Sequence, residues 1–248
     1  DENQGISYSR TKGAELASGE IVAFIDDDAT AKPDWIQRLV GVYESTDAIA
    51  VGGDVRPDWQ TAKPNFFPAE FYWLVGCVEP GFAEDGEEVR NTYGSNISYR
   101  RAEFLEVGGY DPNTGRKGDK HLQAHEAPVG IRLRRAFGKG MVFTEDAVVD
   151  HKLFDYRGEF RWLVARSFWQ GYSKRVMDLL YPDAEDNKRS YLYQLLTHFV
   201  PKRLTNLVRS PSLARIQQLI AIFLFTAAVG LGYLYAAVTP DVVEKANS

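Results

Sequence analysis

The sequence predicts an α/β fold followed by membrane-proximal helices and one transmembrane helix. Three observations carry this expectation. Glu20–Ile25 (EIVAFI) is a short, nearly continuous apolar run, the mark of a parallel strand buried on both faces. Helical spacing stands on either side of it, over Tyr8–Ala17 and from about Asp34 to Glu44. Far downstream, Leu219–Val238 (LIAIFLFTAAVGLGYLYAAV) carries no charge, and at ~1.5 Å rise per residue it spans the ~30 Å hydrocarbon core of a bilayer.

In chain order, the first helix stops at Ser18-Gly19, a C-cap pair. The strand EIVAFI follows, then Asp26-Asp27-Asp28, and Pro33 opens the second helix. Ala48–Gly52 reads as another strand. Residues 54–92 mix Pro, Gly and aromatics without a period, apart from an aromatic helix at Pro68–Val78. Ser95–Arg100 reads as a strand and Arg101–Val107 as a short helix ended by Gly108-Gly109. Pro128 suits the first turn of a helix reaching about Phe137. Gly138 and Gly140 end it, and Met141–Phe143 is a strand. Tyr156–Leu180 is an amphipathic helix broken at Pro182, with a polar stretch, Asp183–Arg189, after it. The expected division is a catalytic-type domain over 1–180, a membrane-proximal helical segment over 181–215, the span over 216–238 and a short tail over 239–248.

Net charge is −5, from 29 basic and 34 acidic residues, which argues against a nucleic-acid footprint. Cys77 is the only cysteine, so an internal disulfide and a cysteine-built zinc site are excluded. Lys202, Arg203, Arg209 and Arg215 precede the apolar run, whereas Asp241, Glu244 and a single Lys245 follow it. The basic side stays in the cytoplasm, so the expectation is a single-pass protein of the cell membrane with residues 1–215 cytoplasmic and the tail outside. The other reading of the run is a buried core helix, but soluble helices are seldom apolar on every face for this long. The chain opens at Asp1 in what reads as the middle of a domain.

Ligands of open α/β sheets bind at the carboxyl ends of strands, where the three aspartates fall. Their mutual repulsion is relieved by a cation, and hard oxygen ligands suit Mg²⁺ or Mn²⁺ bridging nucleotide phosphates. A solvated acidic turn that caps the next helix fits the spacing equally well. Glu126 leads into the helix at Pro128, where a carboxylate can act as a general base or simply cap the helix.

The run NQGISYSRTKGAELASGEIVAFIDDDA, with PDWI after it, resembles the middle of the family 2 (GT-A fold) glycosyltransferases. GSNISYRRAEFLEVGGYD resembles the segment lining their acceptor side, HEAPVGIRLRRAFGKG their acid-base helix, and FWQGYSKR their late aromatic–Gln–Gly segment. The similarity covers about residues 2–175, and four motifs in order are far more specific than three aspartates. It implies a GT-A (Rossmann-like) nucleotide-sugar domain. The family's first two strands and its early base-contacting aspartate have no counterpart here, so an N-terminally truncated domain is expected.

The resemblance also implies roles. Asp28 matches a metal ligand, Asp26 a residue near the ribose or metal, and Asp27 lies between them. Arg10 matches an arginine near the nucleotide. Glu126 falls where the family has its catalytic carboxylate, commonly Asp, and His125 replaces the usual preceding Glu. His151, in VVDHK, matches a histidine that joins the metal or diphosphate, though a lone histidine is ordinarily structural. Ser95 and Asn96 fall on the acceptor side. Arg116, Lys117 and Lys120 are candidates for an acceptor phosphate or sugar carboxylate. Arg161, Arg166, Lys174 and Arg175 suit a diphosphate or lipid phosphate, or form a solvated or headgroup-facing helix side. Phe66, Phe67, Phe71, Tyr72 and Trp73 suit lipid contact or, more ordinarily, a core.

PAEFYWLVG, GEEVRNTYGSNIS and GRKGDKHLQAHE are similar to archaeal family members of lipid-linked N-glycan assembly. This implies an inverting transferase that uses a divalent cation and a nucleotide-sugar donor, UDP-glucuronate. Its acceptor would be a dolichyl-phosphate-linked glycan, glucosyl-dolichyl phosphate, in the bilayer, with no nucleic-acid partner. The alternatives are a dolichyl-phosphate sugar synthase of the same fold and a non-catalytic membrane scaffold.

Overall fold

The computed structural model describes residues 5–111, 126–182 and 191–239. They divide into two compact units, one taking the chain up to Asp58 and Gly76–Lys152, the other Trp59–Val75 and Leu153–Thr239.

The first unit is a mixed α/β sheet with helices on both faces. Its elements are α1 (Gly5–Leu16), β1 (Ile21–Phe24), β2 (Ala29–Ala31), α2 (Trp35–Ser45), β3 (Ala50–Trp59), β4 (Glu88–Val89), β5 (Ile97–Arg100), α3 (Arg101–Glu106), α4 (Glu126–Phe137) and β6 (Met141–Leu153). The strand order is β1-β5-β3-β6-β2, with β4 beside β6. The apolar run EIVAFI becomes β1, but it pairs antiparallel to β5, with Ile21 opposite Arg100 and Phe24 opposite Ile97. This corrects the parallel expectation. Continuous apolarity reports cover on both faces and says nothing about the direction of the neighbouring strand.

That cover is visible residue by residue. Val22 and Phe24 pack on a core of Ala14, Tyr99, Phe104, Tyr110, Val129 and Leu133. Ile21 and Ala23 pack on the opposite core, built on Trp35, Leu39 and Tyr43 of α2. Because β1 ends the strand order, its residues are half-buried, not sealed. β6 runs well past the expected Phe143 and carries its pairing as far as His151.

The second unit is helical. It holds a 3₁₀ turn at Ala69–Val75, kinked at Phe71, where a longer helix was expected. It also contains α5 (Phe160–Leu180), α6 (Tyr191–Gln194), a π turn leading into α7 (Val200–Arg209), and α8 (Leu213–Val238). Phe67, Phe71 and Phe225 are fully buried and their rings cluster, so these aromatics are core. Glu70, buried in the 3₁₀ turn, receives both arms of the Arg203 guanidinium at 2.7 and 2.6 Å, a fork geometry that satisfies both charges. Ser212 caps α8, accepting from the Arg215 N–H. α5 lies along α8 in the same direction, Phe160 beside Phe225 and Phe168 beside Tyr235. The two backbones touch through glycine: a Cβ on Gly171 would strike the Val229 carbonyl, and one on Gly232 the Phe168 carbonyl.

Candidate active site

The site lies in the first unit, where the chain leaves β1. The turn closes with the Ala29 N–H donating to the Asp26 carbonyl at 3.1 Å. β2 then pairs with β6 so that Ala29 stands opposite His151. This register brings His151 Nε2 to 3.2 Å from Asp28 Oδ1. The ring is buried, its Nδ1 facing the Cys77 sulfur at 3.8 Å. Gly76 stands next to the ring with φ +78°, a backbone region that disfavours any side chain. Asp27 points outward and is exposed.

Arg10 of α1 is the hub of the other half. Its side chain is only 9% exposed. One Nη donates to Asp26 Oδ1 at 2.5 Å and to the Gly94 carbonyl at 3.1 Å. The other stands 3.7 Å from Glu126 Oε1, an ion pair beyond hydrogen-bond length. The guanidinium also sits over the rings of Phe24 and Tyr110, at 5.8 and 5.5 Å. Burial pulls the pKa of Arg10 down, but Tyr110, Asp26 and Glu126 more than offset this, leaving it above its ordinary value. It is therefore a permanent cation joining two carboxylates that are far apart in sequence. Gly94 is small because it must be: a Cβ there would collide with Glu126 Oε1 and the Arg10 guanidinium. Behind them the Tyr99 and Tyr110 hydroxyls meet at 3.2 Å, and burial pushes both pKa values up, so both remain neutral phenols.

Asp26, Asp28, Arg10, Glu126 and His151 thus all belong to one unit, in two adjoining groups: Arg10 with Asp26 and Glu126, and Asp28 with His151. Asn96, expected on the acceptor side, is instead spent inside the fold, which corrects that expectation. It is fully buried, donating to the Asp54 and Ala147 carbonyls at 2.9 and 2.7 Å and accepting from Trp35 Nε1 at 2.8 Å. Ser95 is buried beside it. Lys174 and Arg175 belong to the second unit, where Arg175 lies over the Tyr233 ring. Arg116, Lys117, Lys120 and His125 lie outside the described residues. Sequence reasoning missed Gly94, Tyr99, Tyr110 and Cys77; the first three all lie within the motif GSNISYRRAEFLEVGGYD, whereas Cys77 follows directly after PAEFYWLVG.

Among the described residues no three His, Cys, Asp or Glu side chains converge as a metal cluster. Asp28 and His151 nevertheless fit one side of a divalent ion. They offer a hard oxygen and an imidazole nitrogen, and Asp28 is part-exposed. Mg²⁺ and Mn²⁺ sites in nucleotide enzymes commonly take few protein ligands and complete their shell with phosphate oxygens and water.

A family model described as glycosyl transferase family 2 matches residues 1–108. The glucosyl-dolichyl phosphate glucuronosyltransferase of Haloferax volcanii is 68% identical over 249 residues, covering 100% of this chain and 80% of its own. The succinoglycan biosynthesis protein ExoM of Rhizobium meliloti is 26% identical over 171 residues, 68% of this chain and 52% of its own. Among solved structures, the mannosyltransferase PcManGT of Pyrobaculum calidifontis, in complex with GDP-Man and Mn²⁺, is similar over 98% of this chain and 65% of its own. Its identity is 14% and its TM-score 0.46. With 68% identity over the whole of this chain to the Haloferax volcanii transferase and a family model over residues 1–108, the chain belongs to glycosyltransferase family 2.

Proposed function

We propose that this glycosyltransferase moves glucuronic acid from UDP-glucuronate onto glucosyl-dolichyl phosphate, with inversion at the anomeric carbon. The observation that carries the substrate assignment is the 68% identity, over the whole chain, to a transferase of that name. In the reaction the acceptor hydroxyl oxygen bonds to the anomeric carbon as the bond to the donor's diphosphate oxygen breaks. Glu126 takes the hydroxyl proton, and UDP departs. Arg10 supports this role by standing beside both Glu126 and Asp26 as one fixed cation, which favours a carboxylate at the position of the base. Asp28 and His151 would hold Mg²⁺ or Mn²⁺, which when bound neutralises charge on the diphosphate leaving group. The exposure of Asp27 is consistent with a donor contact. Lys174 and Arg175 remain candidates for a lipid phosphate.

α8 supports attachment to the bilayer, where a dolichyl acceptor resides. It is 26 residues long and apolar enough for a single crossing by length and composition, with a third of its apolar window buried. The basic residues ahead of it favour a cytoplasmic catalytic unit.

The test is a donor–acceptor matrix with the protein in membranes. Glucuronosyl transfer to glucosyl-dolichyl phosphate, and none to dolichyl phosphate, is expected. Transfer to dolichyl phosphate itself would replace this reading with a lipid-phosphate sugar synthase. No transfer with any pair would leave a scaffold.

A further inference from the structure

α8 does not travel alone. Its face formed by Ala221, Phe225, Ala228, Gly232 and Ala236 is buried, and α5 lies against that face in close glycine contact. Any depth assigned to α8 is therefore assigned to α5 as well. Toward its C-terminal end α5 carries Lys174, Arg175 and Asp178. Arg175 donates to the Tyr233 hydroxyl at 3.4 Å, and that hydroxyl donates to Asp178 at 3.0 Å. These charges stand beside the last turns of α8. If α8 threaded the bilayer from its basic end, they would be carried through the hydrocarbon to its far half. Charged groups at such depth are strongly disfavoured.

The opposite face of α8 tells the complementary story. Ile216, Ile220, Phe223, Leu224, Leu231 and Leu234 are each 44% or more exposed. Their spacing of three, four and seven places them on one stripe along the helix. α8 itself carries no charge over residues 219–238. With its other face covered by α5, whose exposed side bears charge, the helix pair nevertheless has one apolar and one polar side. This is the amphipathic arrangement of attachment in the membrane plane. Charge agrees with this. Exposed Lys202 and Arg209 flank α8 on α7, and Arg161 and Lys174 are exposed on α5. Basic residues outnumber acidic ones in the second unit although the whole chain is net −5. Such a surface complements anionic headgroups.

We propose that α8 lies in the plane of the cytoplasmic leaflet, its stripe sunk to the acyl boundary and α5 on its water side, without crossing. The proposal rests on the bilayer attachment argued above and specifies its geometry.

The decisive experiment uses the full chain in membranes with single cysteines at the two ends of α8, Leu213→Cys and Thr239→Cys, and one in the catalytic unit, Ser45→Cys. Native Cys77 is fully buried and gives little background. A membrane-impermeant maleimide should label all three from the same side. Labelling of Leu213→Cys and Thr239→Cys from opposite sides overturns the in-plane placement and leaves the attachment intact. Nitroxides at Ile220→Cys, Phe223→Cys and Leu231→Cys, in vesicles of phosphatidylcholine and phosphatidylglycerol, should report one shallow depth. A depth that passes through a mid-bilayer maximum along the helix is the opposing result. Failure to float with these vesicles, including as a soluble dimer that hides the stripe, sinks both the placement and the attachment.

Discussion

Glu126 stands at the first residue of a helix, where a carboxylate can serve the backbone or the reaction, and one atom separates the two roles. Glu126→Gln keeps an oxygen for the helix and removes the proton acceptor. If Glu126 is the base, turnover should fall by roughly 10²–10⁴-fold while the donor KM stays near wild type. Glu126→Asp should keep part of the activity. A Gln variant within about twofold of wild type under rate-limiting chemistry, a small fraction of the effect general-base loss produces, would return Glu126 to a structural role. For the second group, Asp28→Ala and His151→Ala should each weaken Mn²⁺ binding, read directly by electron paramagnetic resonance without any assay of turnover. EDTA should inactivate the wild type reversibly. The quoted motifs pointed to these residues but not to their partners. Arg10 was assigned to the nucleotide, yet its contacts reach Asp26, Gly94 and Glu126, separations no local pattern encodes. Asn96 looked like a ligand because it lies in a motif; its amide is consumed by three separate elements, which only the folded chain reveals.

At the scale of elements, helices with caps and punctuation were readable: α1, α2 and α4 fall within a few residues of their expected spans. The polar Thr144-Glu145-Asp146 hides the second half of β6 from the sequence pattern. In the fold Glu145 and Asp146 are exposed, and the strand's packing changes face there: Met141 and Phe143 join one core, Ala147 and Val149 the other. A period-2 pattern that shifts phase midway reads as a loop. His151 owes its position beside Asp28 to that unread half of the strand. The α5–α8 contact yields a sharper prediction. Gly171→Leu or Gly232→Leu should push the helices apart and lower stability by about 1–3 kcal/mol, the usual cost of overpacking, in thermal melts of the detergent-solubilised protein. Gly230→Ala, with nothing within 4 Å of the added carbon, should be neutral or stabilising by up to ~1 kcal/mol, as expected for glycine replaced inside a helix. Equal effects at all three positions would mean the glycines reflect composition and not contact.

At the scale of the whole molecule, raising the pH should destabilise the first unit. Tyr43, Tyr99 and Tyr110 are buried in the first unit, and burial is the first cause raising each phenol's pKa. A raised folded-state pKa favours the protonated form, so the contribution is fully present below the unfolded tyrosine value of ~10 and is lost as pH climbs above it. Arg10 keeps its charge over this range, its own pKa lying above the ordinary arginine value, so the loss should begin with tyrosine. Tyrosinate absorbance from the buried rings should appear together with loss of circular dichroism. If these rings ionise near pH ~10, the model-compound value, with the fold intact, the burial described here is wrong.

Cys77, sealed against the imidazole of His151, turns the protein into its own clock. A disulfide reagent such as Ellman's can reach that sulfur only when the chain around it lifts, so the rate of colour release counts openings at the site. Anything that binds only the closed form should slow the reaction by the factor 1 + [L]/Kd. Mn²⁺ seated between Asp28 and His151 should therefore protect the thiol in proportion to its concentration, whereas Na⁺ at equal ionic strength should not. The one sulfhydryl in the sequence would then report ligand affinity at the candidate site before any substrate is in hand.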